Sequence, residues 1–137
     1  MFRTIVGHRR VLSLLSRAIS NDTLPPALLF SGPAGIGKRR TAAAVSRAIN
    51  CLTPVTDAAI APVHDGDAPL LLARDACGTC AACRRIERAV HPDVIVVEPG
   101  DTGTIKIEAV RDVIDRAAFR PFEARRRGCE QGPRVSP

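Results

Sequence analysis

Apolar residues recur at helical spacing over residues 8–20, where Val11, Leu12, Leu14, Leu15, Ala18 and Ile19 fall largely on one face and Arg9, Ser16 and Arg17 on the other. Asn21 to Pro26 predicts a turn, since paired prolines stop a helix. Ala27 to Ser31 is a short apolar run between Pro26 and Gly32, the pattern of a strand buried in a parallel sheet. A second helix is expected from Gly37 to Asn50, with Arg39, Arg40 and Arg47 turned to solvent. Residues 52–76, with Pro54, Pro62, Pro69, Gly66 and several Asp among small residues, read as an irregular excursion. A helix over 80–90 then ends at His91-Pro92-Asp93, and Val94 to Glu98 forms a second buried-strand candidate. After a turn at Pro99–Gly103, residues 107–119 predict an amphipathic helix with Ile107, Val110, Val113, Ile114 and Ala117 on one stripe. Residues 128–137 show neither periodicity nor an apolar run and read as coil, and no internal repeat is present.

Composition changes this picture only slightly. The 137 residues suffice for one domain with a modest core, and the formal net charge is +6, nearly all from arginine because Lys38 and Lys106 are the only lysines. That excess fits either a coding bias or a polyanionic partner. With neither Trp nor Tyr and with four Phe, the chain lacks a base-stacking platform, so nucleic-acid contact would be to phosphates. No apolar run approaches the roughly 20 residues that span a bilayer, and no signal-peptide core follows the basic start, so a cytoplasmic location without membrane contact is expected.

Two motifs carry chemistry. Gly32-Pro33-Ala34-Gly35-Ile36-Gly37-Lys38 follows the strand candidate and opens a helix, as in a phosphate loop. Gly32, Gly35 and Gly37 would let backbone N–H groups face phosphate oxygens, and Lys38 would reach the outer phosphates. The hydroxyl that should ligate magnesium is replaced by Arg39, and Thr41 comes two residues late. A loop that keeps its shape without turning nucleotide over is the expectation, with ATP binding left open. Downstream, Cys77, Cys80 and Cys83 stand at two-residue gaps at a helix start, and Cys51 can supply a fourth thiolate. A structural zinc is favoured over buried free thiols or a redox C-x-x-C pair, because a redox motif needs no third cysteine in step. Cys129 is left out, His8 and His64 are expected in solvent, and His91 is expected to shape a turn.

Several segments together resemble the N-terminal part of a bacterial DNA polymerase III clamp-loader subunit of the AAA+ type, over about residues 1–127. They are Ile5-Val6-Gly7-His8, Ala27 to Pro33, the cysteine knuckle, His91-Pro92-Asp93-Val94, and Ile105-Lys106-Ile107 leading into Val110-Arg111. In the first of these, His8 stands where the family's entry motif has Gln. The resemblance implies an α/β fold, an incomplete P-loop/AAA+ parallel-sheet domain with a zinc module inserted at about residues 51–90 around the irregular insert 52–76. It also implies clamp-loader partners (gamma/tau and delta), the sliding clamp, and primed DNA reached through the complex. Arg39 points to the delta-prime subunit, whose phosphate loop is often degraded, whereas gamma/tau keeps a Thr there. A gamma/tau-like ATPase fragment and a free-standing zinc-knuckle module binding nucleic acid are the alternatives.

The Cys51-to-Cys77 gap of 25 residues is longer than the family's usual spacing. The family continues past residue 127 with a strand ending in acidic residues, then an arginine finger, a lid and an oligomerising domain. The resemblance is therefore to a truncated or frameshifted subunit with a disordered, non-family tail at 128–137. In the family's sheet, strands at Ala27–Ser31 and Val94–Glu98 are not neighbours, so both are expected to lack partners here and to leave the chain poorly folded and unable to join a pentamer.

Overall fold

The computed structural model describes residues 1–60, 70–100 and 104–131. A 3-10 turn at Phe2–Thr4 leads into α1 (Arg9–Ser20), then α2 (Lys38–Asn50), β1 (Ala58–Ile60), β2 (Leu70–Leu72), α3 (Ala81–Glu87), β3 (Val94–Val97), α4 (Ile107–Ala117) and β4 (Gly128–Gln131).

Helix α1 buries Leu12, Leu15, Ser16 and Ile19, and α2 buries Thr41, Ala44, Val45 and Ala48 among others. Both sets follow the i, i+3, i+4, i+7 spacing that puts residues on one helical face. With Phe2, Ile5 and Leu72 these side chains form the main hydrophobic core. Phe2, Leu12 and Leu72 are fully buried, each stabilising the fold by about 1.5–3 kcal/mol by area. Ser16 was expected on the polar face, yet it is wholly buried. Its Oγ donates to the Arg74 carbonyl at 2.8 Å and accepts from the Arg74 N–H at 2.8 Å, so its hydroxyl is satisfied inside. Val11 and Leu14, placed on the apolar face by the sequence, are exposed instead.

The excursion 52–76 is not wholly irregular. Strands β1 and β2 pair antiparallel with Ala59 opposite Leu71, and Val55 and Asp75 exchange backbone hydrogen bonds of 2.9 and 2.8 Å. The chain thus leaves the main body at 55 and returns at 75 directly alongside itself. Within β2, Leu71 is exposed and Leu72 buried, the alternation of a strand with one face on the core. His64 lies outside the described residues, as does part of the expected turn at Pro99–Gly103.

Two expectations about strands are corrected. Ala27–Ser31 is not a strand: no described segment lies beside it to complete a ladder, and Leu29 is 94% exposed while Phe30 packs against the core. An apolar run supplies strand composition, but only a neighbouring backbone supplies the hydrogen bonds. Conversely, residues 128–131, expected as coil, form β4 and pair parallel with β3, Val94 opposite Gly128 and Val97 opposite Gln131. The pairing needs no apolar tail, because β3 offers an open edge and the Gly128 N–H donates to the Asp93 carbonyl at 2.9 Å to set the register. The described residues therefore hold one parallel and one antiparallel pair of strands, not a broad parallel sheet. Helix α4 forms as expected, but its stripe is uncovered: Ile107 is 60%, Val110 43% and Ile114 62% exposed.

Asp93 fixes the region around β3. Its fully buried carboxylate accepts the N–H groups of Phe122, Glu123 and Ala124 at 2.8, 2.8 and 2.9 Å, and Arg127 Nη2 at 3.0 Å. His91 shapes the turn as expected, its Nδ1 accepting the Asp93 N–H at 3.2 Å, and it is buried. Burial opposes the charged carboxylate of Asp93, but the three amides and the Arg127 guanidinium outweigh it and hold the carboxyl well below its usual range. A depressed carboxyl contributes stability that is present above the unfolded value of 3.8 and is lost as pH falls from there through the folded value. Asp93→Asn is therefore expected to cost about 3 kcal/mol at pH 7 and to flatten the loss of stability below about pH 4, read from urea unfolding across pH.

Candidate metal centre and phosphate loop

The closure at Val55 and Asp75 brings Cys51, at the C-terminal end of α2, beside Cys77 despite the 25 residues between them. The Cys77 N–H donates to Cys51 Sγ at 3.3 Å, and Cys51 Sγ lies 3.9 Å from Cys80 Sγ. All four sulfurs of Cys51, Cys77, Cys80 and Cys83 fall within 4.8 Å of one another. A tetrahedral ion with ligands at about 2.3 Å places its sulfurs about 3.8 Å apart, so this spacing fits such an ion. Backbone donors surround the sulfurs: Thr79 and Cys80 N–H to Cys77 Sγ at 3.4 and 3.3 Å, and Cys83 N–H to Cys80 Sγ at 3.5 Å as the cap of α3.

These donors split the thiols. For Cys77, burial opposes the thiolate, but the Thr53 hydroxyl and the amides of Cys80 and Thr79 prevail and lower it to about 5. Cys80 is likewise lowered: burial opposes, and the amides of Cys83 and Leu52 outweigh it. Burial pushes Cys51 and Cys83 up. A centre with two thiols lowered and two raised by burial gains all four as ligands only when a cation offsets the desolvation. Four sulfurs without a carboxylate or imidazole among them form a soft donor set with no open position for substrate. Cys129 lies in β4 and is not one of the four.

The phosphate-loop residues stand at the start of α2. Gly32, Gly35 and Gly37 have φ of 143°, 77° and 97°, backbone that side chains rarely adopt, and Gly37 is the residue before the helix. Lys38 Nζ turns back into the loop and donates to the carbonyls of Gly32 at 2.8 Å and Pro33 at 2.7 Å. Arg39 and Arg47, expected in solvent, are instead engaged: Arg39 pairs with Glu98 at 3.5 Å and Arg47 with Glu87 at 3.3 Å. Thr41 is buried and its Oγ1 donates to the Gly37 carbonyl at 3.0 Å, so it does not stand in for the missing hydroxyl. One contact was not foreseen. His8 is exposed, but its Nε2 lies 3.0 Å from the Ile36 carbonyl, tying the opening segment to the loop. The left-handed backbone at Gly7 and His8, φ 78° and 52°, turns the ring that way, and only the Gly hinted at it in the sequence.

With this geometry in place, comparison with known proteins is informative. The family model for the DNA polymerase III delta subunit matches residues 7–129. The DNA polymerase III subunit tau of Bacillus subtilis (strain 168) is 31% identical over 120 residues, covering 88% of this chain and 18% of that protein. The subunit tau of Escherichia coli (strain K12) is 29% identical over 124 residues, 90% of this chain and 16% of that protein. The subunit gamma of Buchnera aphidicola subsp. Acyrthosiphon pisum is 28% identical over 124 residues, 90% of this chain and 29% of that protein. The chain belongs to the DNA polymerase III delta-subunit family and is a clamp-loader family member. It spans less than a third of the length of these relatives. No described helix is long and apolar enough to cross a membrane.

Gly78 sits inside the knuckle at φ 85°, and a Cβ there would lie 2.6 Å from Met1 Sδ. Gly78→Ala is expected to lower stability by about 1–2 kcal/mol, from left-handed strain plus displacement of Met1, measured by urea unfolding beside the parent chain.

Proposed function

We propose that this chain supplies the nucleotide-loop and zinc-knuckle region of a delta-prime-like clamp-loader subunit, which helps load the sliding clamp on primed DNA as a stator and not as a motor. The AAA+ P-loop domain of the family is the fold this reading implies, over residues 1–127 with the zinc module at about 51–90. Its partners would be the gamma/tau and delta subunits and the clamp, with DNA reached through the assembly. The observation that carries the reading is Arg39 directly after Lys38, its guanidinium drawn to Glu98 at 3.5 Å. A magnesium ion needs a hydroxyl there to bridge phosphate oxygens, and a fixed cation repels it. The cysteine centre would hold zinc through Cys51, Cys77, Cys80 and Cys83, supplying folding free energy without catalysis.

A second reading, a gamma/tau-like ATPase fragment, is favoured by the names of the relatives, which are gamma and tau subunits. ATP turnover separates the two. The purified chain is expected to show no magnesium-dependent hydrolysis, whereas turnover that disappears on Lys38→Ala would establish the ATPase reading. Metal analysis of the same preparation is expected to give one zinc per chain, lost when Cys80→Ser and Cys83→Ser are combined. A metal-free parent chain, or full retention in the double variant, would remove zinc from the proposal.

A further inference from the structure

The segment Met1–His8 touches both motifs. At one end, Arg3 Nη2 donates to the Cys77 carbonyl at 3.1 Å and reaches Met1 Sδ at 3.0 Å, while Met1 packs against the cysteine cluster over Gly78. Asp75, two residues before Cys77, accepts the N–H groups of Phe2 at 2.8 Å and Arg3 at 3.2 Å and pairs with the Arg3 guanidinium at 3.3 Å. The same carboxylate accepts the Ala76 N–H at 2.7 Å, so the backbone leading into Cys77 and the backbone of the opening turn share one anchor. In the middle, Phe2 and Ile5 are buried in the core, which keeps the segment from sliding independently. At the other end, His8 Nε2 meets the Ile36 carbonyl at 3.0 Å, one residue before Gly37 and two before Lys38.

From these contacts we infer that residues 1–8 are a strap through which metal loading of the cysteine centre sets the conformation of the phosphate loop. The inference rests on the zinc reading above. Without the metal, Cys77 is held against Cys51, Cys80 and Cys83 by weak N–H to sulfur bonds and by the Val55–Asp75 pairing two residues before it. The Cys77 carbonyl then loses the fixed position that Arg3 grips, beside the Asp75 anchor of the opening turn. Release of the turn at Phe2–Thr4 frees Gly7 and His8, and with them the hydrogen bond that holds the Ile36 carbonyl. The loop so affected includes Gly35 and Gly37, where an added Cβ would meet nothing within 4 Å. Two distinct sites, one connector anchored in the core by Phe2 and Ile5, and a contact at each end make this a coupling of binding free energies, which acts in both directions.

The test uses the full chain labelled with nitrogen-15. On adding one equivalent of zinc to the metal-free chain, the amide resonances of Gly35 and Gly37 are expected to move together with those of Phe2 and Arg3. In His8→Ala, zinc is expected to move Phe2 and Arg3 as before and to leave Gly35 and Gly37 in place. In Arg3→Ala, zinc transfer to a chromogenic chelator is expected to be about tenfold faster than in the parent, the usual effect of losing an outer partner of a metal ligand. Zinc uptake without movement of Gly35 and Gly37 in the parent chain would overturn the strap alone. Movement that persists undiminished in His8→Ala would also overturn it, since the coupling would run by another route. Failure of the parent chain to take up zinc overturns the metal reading and the strap with it.

Discussion

The Asp75 carboxylate is the contact on which the remaining architecture depends. It is wholly buried, and it receives two N–H groups of the opening turn, the guanidinium of Arg3 and the N–H of Ala76. Its own backbone closes the excursion against Val55. Deleting that carboxylate would leave buried donors without acceptors, a loss of about 1–3 kcal/mol for each neutral group. It would also unseat Phe2, one of the few aromatic side chains in the core. Two residues on, the same segment delivers Cys77 to the cluster. Fold and candidate metal centre are therefore not separate achievements: one charged side chain sets the position of both.

A second carboxylate repeats the device at the far end of the described chain. Asp93 gathers three amides and an arginine, and through Arg127 and Gly128 it leads β4 onto β3. A chain with four Phe and no Trp or Tyr has limited apolar area to bury. Carboxylates capping turns hold loops that packing alone would leave open. The cost of burying each charge is met by several charge-assisted bonds, and a single substitution that leaves the donors unpaired is correspondingly severe. The exposed stripe of α4 shows the opposite situation, with good helical periodicity and no described surface against it.

How much of this was legible depends on whether the signal was periodic or relational. Helices α1, α2, α3 and α4 and strand β3 followed from spacing, and the four cysteines from their gaps. Ser16 illustrates a signal that was present but overridden: it lies four residues after Leu12 and three before Ile19, on the buried face, and only its hydroxyl argued against burial. Thr41 likewise lies on the buried face of α2 and is satisfied by the Gly37 carbonyl. The strand expected at Ala27–Ser31 and the coil expected at 128–131 failed for a common reason. Strand formation is decided by a second backbone alongside, and no local pattern of either segment says whether one is there. The His8 contact with Ile36 was illegible for the same reason, since it joins residues 28 apart.

The glycine loop before α2 is held by bonds within the chain. Lys38 spends its ammonium on two carbonyls of its own loop, and Arg39 pairs with Glu98. An incoming phosphate must displace two charge-assisted bonds of Lys38, each worth about 1.5–3 kcal/mol, before it gains any of its own. The glycine backbone is thus kept in its left-handed form by internal bonds and by the tie from His8, with no ligand required. The loop is a junction between α2, the opening segment and, through Arg39, Glu98.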